Sequence, residues 1–85
     1  MVLYGMVKRV QRLLEQVERT KNNCSFEDLA RLLEALGYEV RAAGSSHHVF
    51  RKPGFQPISV PRAKPMKLNY VQAVILLARA ALGEQ

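Results

Sequence analysis

The fold of this chain is decided by the stretch Gly44-Ser45-Ser46-His47-His48-Val49-Phe50-Arg51-Lys52-Pro53-Gly54. Its Val-Phe pair favours a pleated strand, and the glycine before that pair and the Pro-Gly after it are typical of turns. Side chains on a strand alternate between the two faces of a sheet. Phe50 is the larger apolar residue and is expected to face the core together with His48 and Lys52. His47 and Arg51 then lie on the open face of the sheet.

Two amphipathic helices are expected before this stretch, because apolar residues recur every three or four positions. The first helix runs from about Val2 to Arg19 and either packs on the domain's own core or serves an oligomer or a docking partner. The second runs from about Phe26 to Leu36. Ser25 is expected to cap it, Asp28 to complete a capping box, and Gly37 to end it in a left-handed conformation. The apolar residues of the first helix are Leu3, Met6, Val10, Leu13, Leu14 and Val17.

Two further strands are expected beside the one that contains the histidines. Residues 38–42 alternate apolar and charged side chains, which predicts a half-buried strand with Arg41 outward. The turn Gly44-Ser45-Ser46 connects it to an antiparallel partner at 47–52. A third strand around Ile58-Ser59-Val60 lies between two prolines, which is typical of an edge strand. Ser59 is a candidate for the open face, and the residues of 38–42 expected to point inward are Tyr38, Val40 and Ala42.

The last helix is expected to begin near Pro65, a residue well suited to the first helical position, with a start at Asn69 as the alternative. Cations crowd its N-terminal end, where the helix dipole disfavours them. Either a bound phosphate at the free backbone amides offsets this conflict, or the cations are simply solvated. The cations are Arg62, Lys64 and Lys67, and the apolar stripe of the helix is Leu68, Val71, Ile75, Ala78 and Leu82.

The 85 residues predict a single α+β domain, a three-stranded antiparallel sheet with helices on one face. The formal net charge is +6, and the whole excess lies in residues 41–85, where seven cations stand against Glu84 alone. A basic patch of this kind is typical of proteins that bind a polyanion, nucleic acid above all, although solubility alone also accounts for a modest positive charge.

Several classes of protein are excluded by the sequence. The single cysteine, Cys24, forms no internal disulfide, which indicates a reducing cytoplasm. No apolar run has the length of a membrane span, and the first residues are not typical of a signal peptide. Zinc is not expected because His47 and His48 point to opposite faces. No glycine-rich nucleotide-binding motif is present, and a serine nucleophile at Ser45 or Ser46 has no evident acid partner.

The chemistry that the open face can support centres on His47. A histidine titrates near neutral pH and can act as a general base. If the polyanion is RNA, the proton to remove is that of the ribose 2′-hydroxyl, which then attacks the neighbouring phosphorus to give a 2′,3′-cyclic phosphate. Arg51 or Arg41 would offset the charge that develops on the phosphoryl oxygens, and no metal or cofactor is required. From composition and spacing alone, binding without catalysis is the commoner explanation.

The chain resembles the HicA family of toxin mRNA interferases in Leu-Leu-Glu-Ala-Leu-Gly-Tyr at 32–38, Gly-Ser-Ser-His-His-Val-Phe at 44–50, Pro53-Gly54 and Lys64-Pro65. The resemblance covers about Ser25 to Leu82. It implies an α-β-β-β-α fold like that of a double-stranded-RNA-binding domain at 25–83, preceded by an additional helix at 1–20. It also implies metal-independent cleavage of mRNA in the cytoplasm by His47, and silencing by a HicB antitoxin.

We therefore expect an endoribonuclease with His47 as its general base. The alternatives are a non-catalytic RNA-binding module of the same fold, and a regulatory protein whose first helix forms a homo-oligomer. The side chains expected to contact RNA phosphates are Arg41, Ser46, Arg51, Lys52, Arg62, Lys64 and Lys67.

Overall fold

The α+β architecture expected from the sequence is confirmed by a computed structural model, which describes residues 4–42 and 46–83. The predicted turn at Gly44-Ser45 and the predicted helical residues Val2 and Leu3 lie outside the described residues. None of the described helices combines the length and the apolar character that crossing a membrane requires. The elements are α1 (Tyr4–Arg19), a short 3-10 helix (Lys21–Asn23), α2 (Phe26–Ala35), β1 (Glu39–Ala42), β2 (His47–Arg51), β3 (Ile58–Pro61) and α3 (Leu68–Ala81).

The three strands form one antiparallel sheet in the order β1-β2-β3, and the helices cover one of its faces. Buried side chains from all three helices meet the inner face of the sheet in a single core. Helix α1 therefore packs on the domain's own core, although its Met6 is 51% exposed. The central members of this core are Val10, Leu14 and Val17 of α1, Leu29, Leu32 and Leu33 of α2, Phe50 and Val60 of the sheet, and Val71, Val74 and Ala78 of α3.

Both ends of α2 agree with the sequence. The Asp28 backbone N–H donates to Ser25 Oγ at 3.1 Å, and the Ser25 N–H donates to the Asp28 carboxylate at 3.3 Å. This reciprocal pair is the expected capping box, which satisfies backbone donors that the first turn of a helix leaves free. At the other end Gly37 has a φ of 101°, a conformation that a side chain would disfavour.

Strand β1 departs from its predicted pattern at both ends. Tyr38 is buried as expected but lies before the strand, which begins at Glu39. Val40 is half-buried, whereas Ala42 is exposed. Ala42 is the last residue of an edge strand, so its short side chain remains accessible to solvent although the alternation assigns it to the inner face.

Helix α3 begins at Leu68, neither at Pro65 nor at Asn69. The Met66 side chain is buried and its backbone N–H donates to the Cys24 carbonyl at 2.7 Å, which holds the residues before Leu68 outside the helix. Pro65 follows a cis peptide bond in this connection. Leu68, predicted to belong to the apolar stripe, is 41% exposed, and Val74 is buried instead.

Candidate functional site

The uncovered side of the sheet, here called the open face, collects side chains from all three strands. Strand β2 pairs Val49 with Arg41 on one side and with Ser59 on the other, so these three residues form a row across the sheet. Along β2, His47 lies two residues before Val49 and Arg51 lies two residues after it, so both share its face. The members of the open face are Glu39, Arg41, His47, Val49, Arg51, Ser59 and Pro61.

The His47 side chain is exposed and lies beside one hydroxyl group. Its Nδ1 is 3.3 Å from Ser46 Oγ. When the Nδ1–H donates to that hydroxyl, Nε2 keeps its lone pair and can accept a proton. The Ser46 carbonyl in turn accepts a hydrogen bond from the Arg62 backbone N–H at 2.6 Å, which fixes residue 46 to the end of β3. The start of β2 is thereby held against its neighbour.

The two arginines of the open face stand at different distances from His47. Arg41 is opposite Val49 and is therefore a diagonal neighbour of His47, about 7–8 Å away along the sheet. Arg51 is four residues along the same strand from His47, or about 13 Å at the rise of a β-strand. Arg41 is the cation better placed to share a phosphate group with His47.

An acidic residue also lies on the open face, and the sequence interpretation did not include it in the site. Glu39 is the direct cross-strand partner position of Arg51. The signal was present in the sequence, because Glu39 and Arg41 are two residues apart on one strand and must share a face. Because Glu39 lies beside Arg51, the positive charge of the open face is less offset at the other end, where Arg41 and His47 lie.

The remaining predicted phosphate ligands lie elsewhere. The Lys52 ammonium is 4.5 Å from the centre of the Phe55 ring, on the side of the sheet that the helices cover. The Arg62 guanidinium donates to the Glu27 carboxylate at 2.8 Å and lies 5.2 Å from the centre of the Phe26 ring. Lys64 and Lys67 are exposed on the connection that leaves β3 beside His47.

The second histidine has a different environment. His48 is half-buried on the covered face, and its ring centre is 4.7 Å from that of Phe26. Its Nδ1 is buried and has no hydrogen-bond partner in the described part of the chain. Within residues 4–42 and 46–83 no three His, Cys, Asp or Glu side chains are grouped as metal ligands would be. His48 therefore belongs to the packing of the domain.

The cysteine is also a packing residue. Cys24 is fully buried at the boundary between the 3-10 helix and α2. Burial, and secondarily the Asp28 carboxylate, raise the pKa of its thiol to about 11. The thiol consequently stays protonated near neutral pH, where the thiolate is the reactive species.

Comparison with known proteins identifies a family. A family model described as HicA toxin of bacterial toxin-antitoxin matches residues 26–81. The matched range begins at the first residue of α2 and ends at the last residue of α3, so that it includes the whole sheet and leaves α1 outside. No curated protein and no solved structure matches the chain significantly.

Proposed function

The chain belongs to the HicA toxin family, and we propose from this premise that it cleaves RNA without a metal, with His47 as the general base. The family is generally one of endoribonucleases and implies a HicB-like antitoxin as partner. The observation that carries the proposal is the exposed imidazole of His47, next to Ser46 Oγ and diagonal to Arg41 on an otherwise open sheet face. mRNA in the cytoplasm is the proposed substrate.

The proposed reaction uses His47 Nε2 to take the proton of a ribose 2′-hydroxyl. The 2′-oxygen then forms a bond to the adjacent phosphorus, and the bond from phosphorus to the 5′-oxygen of the next nucleotide breaks. The departing 5′-oxygen takes a proton from solvent. The products are an RNA end with a 2′,3′-cyclic phosphate and a second fragment with a 5′-hydroxyl. General base catalysis of this kind contributes typically ~10²–10⁴-fold in rate.

The neighbouring residues have separate proposed roles. Ser46 accepts a hydrogen bond from His47 Nδ1–H and so favours the tautomer with a basic Nε2. Arg41 offsets the negative charge that develops on the phosphoryl oxygens. Arg51, Lys64 and Lys67 bind flanking phosphates. Lys52 and Arg62 are weaker candidates for phosphate contacts, because the first lies against an aromatic ring and the second is paired with Glu27.

A non-catalytic RNA-binding module remains the second candidate, and one observation favours it. Across the described residues of the open face, no second titrating side chain stands next to His47 to serve as a general acid. Glu39 is the only acid there, and it lies beside Arg51 at the opposite end. The same cations would then grip phosphates without any bond being broken.

An RNA cleavage assay separates the two candidates. Wild type free of antitoxin is compared with His47→Ala on end-labelled RNA in the presence of EDTA, and the new ends are analysed for cyclic phosphate. We expect cleavage to fall ~10²–10⁴-fold in His47→Ala while RNA binding persists, and we expect 2′-deoxy substitution at the cut site to block cleavage.

The matched control is His48→Phe, which changes the neighbouring histidine on the covered face and should cut RNA as wild type does. Undiminished cleavage by a folded His47→Ala would remove His47 as the base. Binding without cleavage by wild type would favour the module.

A further inference from the structure

An apolar groove lies on the helical side of the domain, away from the open face. It consists of two adjacent hollows of about 160 and 190 Å³ that share Leu36, Lys52 and Ala81 in their walls. Phe55 borders the first hollow and Met6 the second, and each of these side chains is 51% exposed. Exposed apolar surface of this kind around a concavity commonly marks an interaction site.

Of the described residues that line the groove, one cation, Lys52, lies between the two hollows. The Lys52 ammonium is 4.5 Å from the centre of the Phe55 ring and 5.7 Å from that of Tyr38, so two aromatic rings hold it in place. Among the described residues no carboxylate forms an ion pair with it. Its stem passes close to Gly37 at the end of α2, where helix C-termini attract cations. The rings and the helix end together account for the position of the ammonium, but no carboxylate of the described residues neutralises its charge.

We propose that this groove binds a segment of a different protein in which an acidic side chain lies between two apolar ones. The apolar side chains would fill the two hollows, and the carboxylate would pair with Lys52 at the wall they share. An amphipathic helix presents side chains in this way. The proposal is independent of RNA cleavage, because the groove and His47 lie at opposite ends of β2 and on opposite sides of the sheet.

The composition of the chain argues against the other occupants. Nucleic-acid interfaces are polar and strongly cationic, whereas the described residues in the walls of this groove are apolar apart from Lys52. Among the described residues, a second copy of the chain offers two other large apolar side chains that are exposed, Leu68 and Leu76, but both lie on α3, which contains no Asp or Glu. Two copies would also each bring a net charge of +6. The same charge favours an acidic partner.

Part of the groove is formed by residues outside the range that the family model matches. Met6, Val7 and Val10 belong to α1 and line the second hollow, and they precede the matched range 26–81. The partner would thus recognise the additional helix together with the helical core behind the sheet.

The test is a selection from a phage-displayed library of amphipathic helical peptides, with fixed apolar positions and randomised positions between them. The full chain and its Lys52→Glu variant serve as separate targets. We expect enrichment of Asp or Glu between the apolar residues on wild type, and of Lys or Arg on Lys52→Glu. A selected acidic peptide should bind Lys52→Met and Phe55→Asp roughly tenfold more weakly, as expected when a charge-assisted contact or an apolar anchor is lost.

Lys21→Glu is the matched control, since it makes the same charge change at an exposed site outside the groove and should leave peptide binding unchanged. Circular dichroism verifies that each variant is folded, and Lys52→Met keeps the apolar stem over the rings. The proposal is overturned if no peptide is enriched, or if the enriched peptides bind Lys52→Glu and Phe55→Asp with the same affinity as wild type. It is also overturned if wild type forms a dimer that the substitution Phe55→Asp dissociates.

Discussion

The two faces of β2 give neighbouring histidines opposite characters. His47 is exposed, and its Nδ1 lies beside a serine hydroxyl. His48 is packed against Phe26, with a buried Nδ1 that no described group satisfies. The difference arises from the alternation of the strand alone, because the two residues are adjacent and chemically identical. One imidazole is therefore available for chemistry, and the other contributes packing.

The contrast extends to the residues around each histidine. The open face presents Arg41 and Arg51 to solvent, and none of its described side chains is fully buried. The covered face contributes Phe50 and Val60, both fully buried, to the core. We expect substitutions on the open face to affect RNA binding or cleavage, and substitutions on the covered face to affect the free energy of unfolding.

The largest expected effect tests this division directly. Phe50→Ala removes a fully buried ring and should lower the free energy of unfolding by about 3–5 kcal/mol, enough to unfold many small domains. Val49→Ala, its neighbour on the open face, should cost about 1 kcal/mol or less. Urea unfolding followed by circular dichroism measures both. Equal losses would show that the open face is covered in solution.

The second prediction concerns the two arginines of the open face. Arg41→Ala should reduce the rate of RNA cleavage roughly 10- to 100-fold, because in the proposed reaction Arg41 makes a charged hydrogen bond to the reacting phosphate, worth about 1.5–3 kcal/mol. Arg51 lies further from His47, about 13 Å along the same strand. Arg51→Ala should therefore mainly weaken RNA binding and reduce the salt dependence of that binding. Single-turnover rates at saturating protein separate the two effects. A larger rate loss in Arg51→Ala would reverse the proposed order.

The third prediction concerns the half-buried imidazole of His48. His48→Phe keeps a ring against Phe26 and removes the unsatisfied Nδ1, so it should raise the free energy of unfolding by about 1 kcal/mol. His48→Ala should lower it instead, since the ring contact is lost. Thermal unfolding of the three proteins is the measurement. Destabilisation by both substitutions would indicate that the imidazole has a polar partner in solution.

The smallest expected effect is an alkaline loss of stability on the covered side. Burial, and then Asp28, raise the pKa of Cys24 from 9.0 to about 11, so the unfolded chain loses this proton before the folded one. The stabilisation of the folded state that follows from this pKa difference is fully present below pH 9 and disappears as the pH rises through 11. Relative to Cys24→Ala, the free energy of unfolding of wild type should fall by less than about 1 kcal/mol by about pH 9.5. Denaturant titrations across this range should show the same alkaline loss in His47→Ala as in wild type, because His47→Ala keeps Cys24.

The sequence predicted the local features of this fold well. The capping box needs only Ser25 and Asp28 at the right spacing, and the orientation of β2 follows from Phe50 being the residue that must be buried. Both depend on contacts between near neighbours in the chain. The open-face position of His47 follows from the same alternation and needs no knowledge of the helices.

Features that depend on distant residues were not predictable. Helix α3 starts at Leu68 because Met66 is anchored in the core and bonded to the Cys24 carbonyl, a contact between distant parts of the chain. Arg62 was expected to bind phosphate, but Glu27 is near enough to pair with it only after α2 and β3 have packed together. The sequence pattern contains no signal for either contact.

Helix α1 lies outside the matched range 26–81, yet it contributes Val10, Leu14 and Val17 to the core. The hydrophobic core of the domain consequently extends beyond the segment recognised by the family model. A fragment trimmed to the family boundaries would expose the apolar surfaces of α2 and α3 to water and should aggregate. Any assay that asks whether α1 forms an oligomer therefore requires substitutions on its solvent side, such as Arg12 or Gln16, and not its deletion.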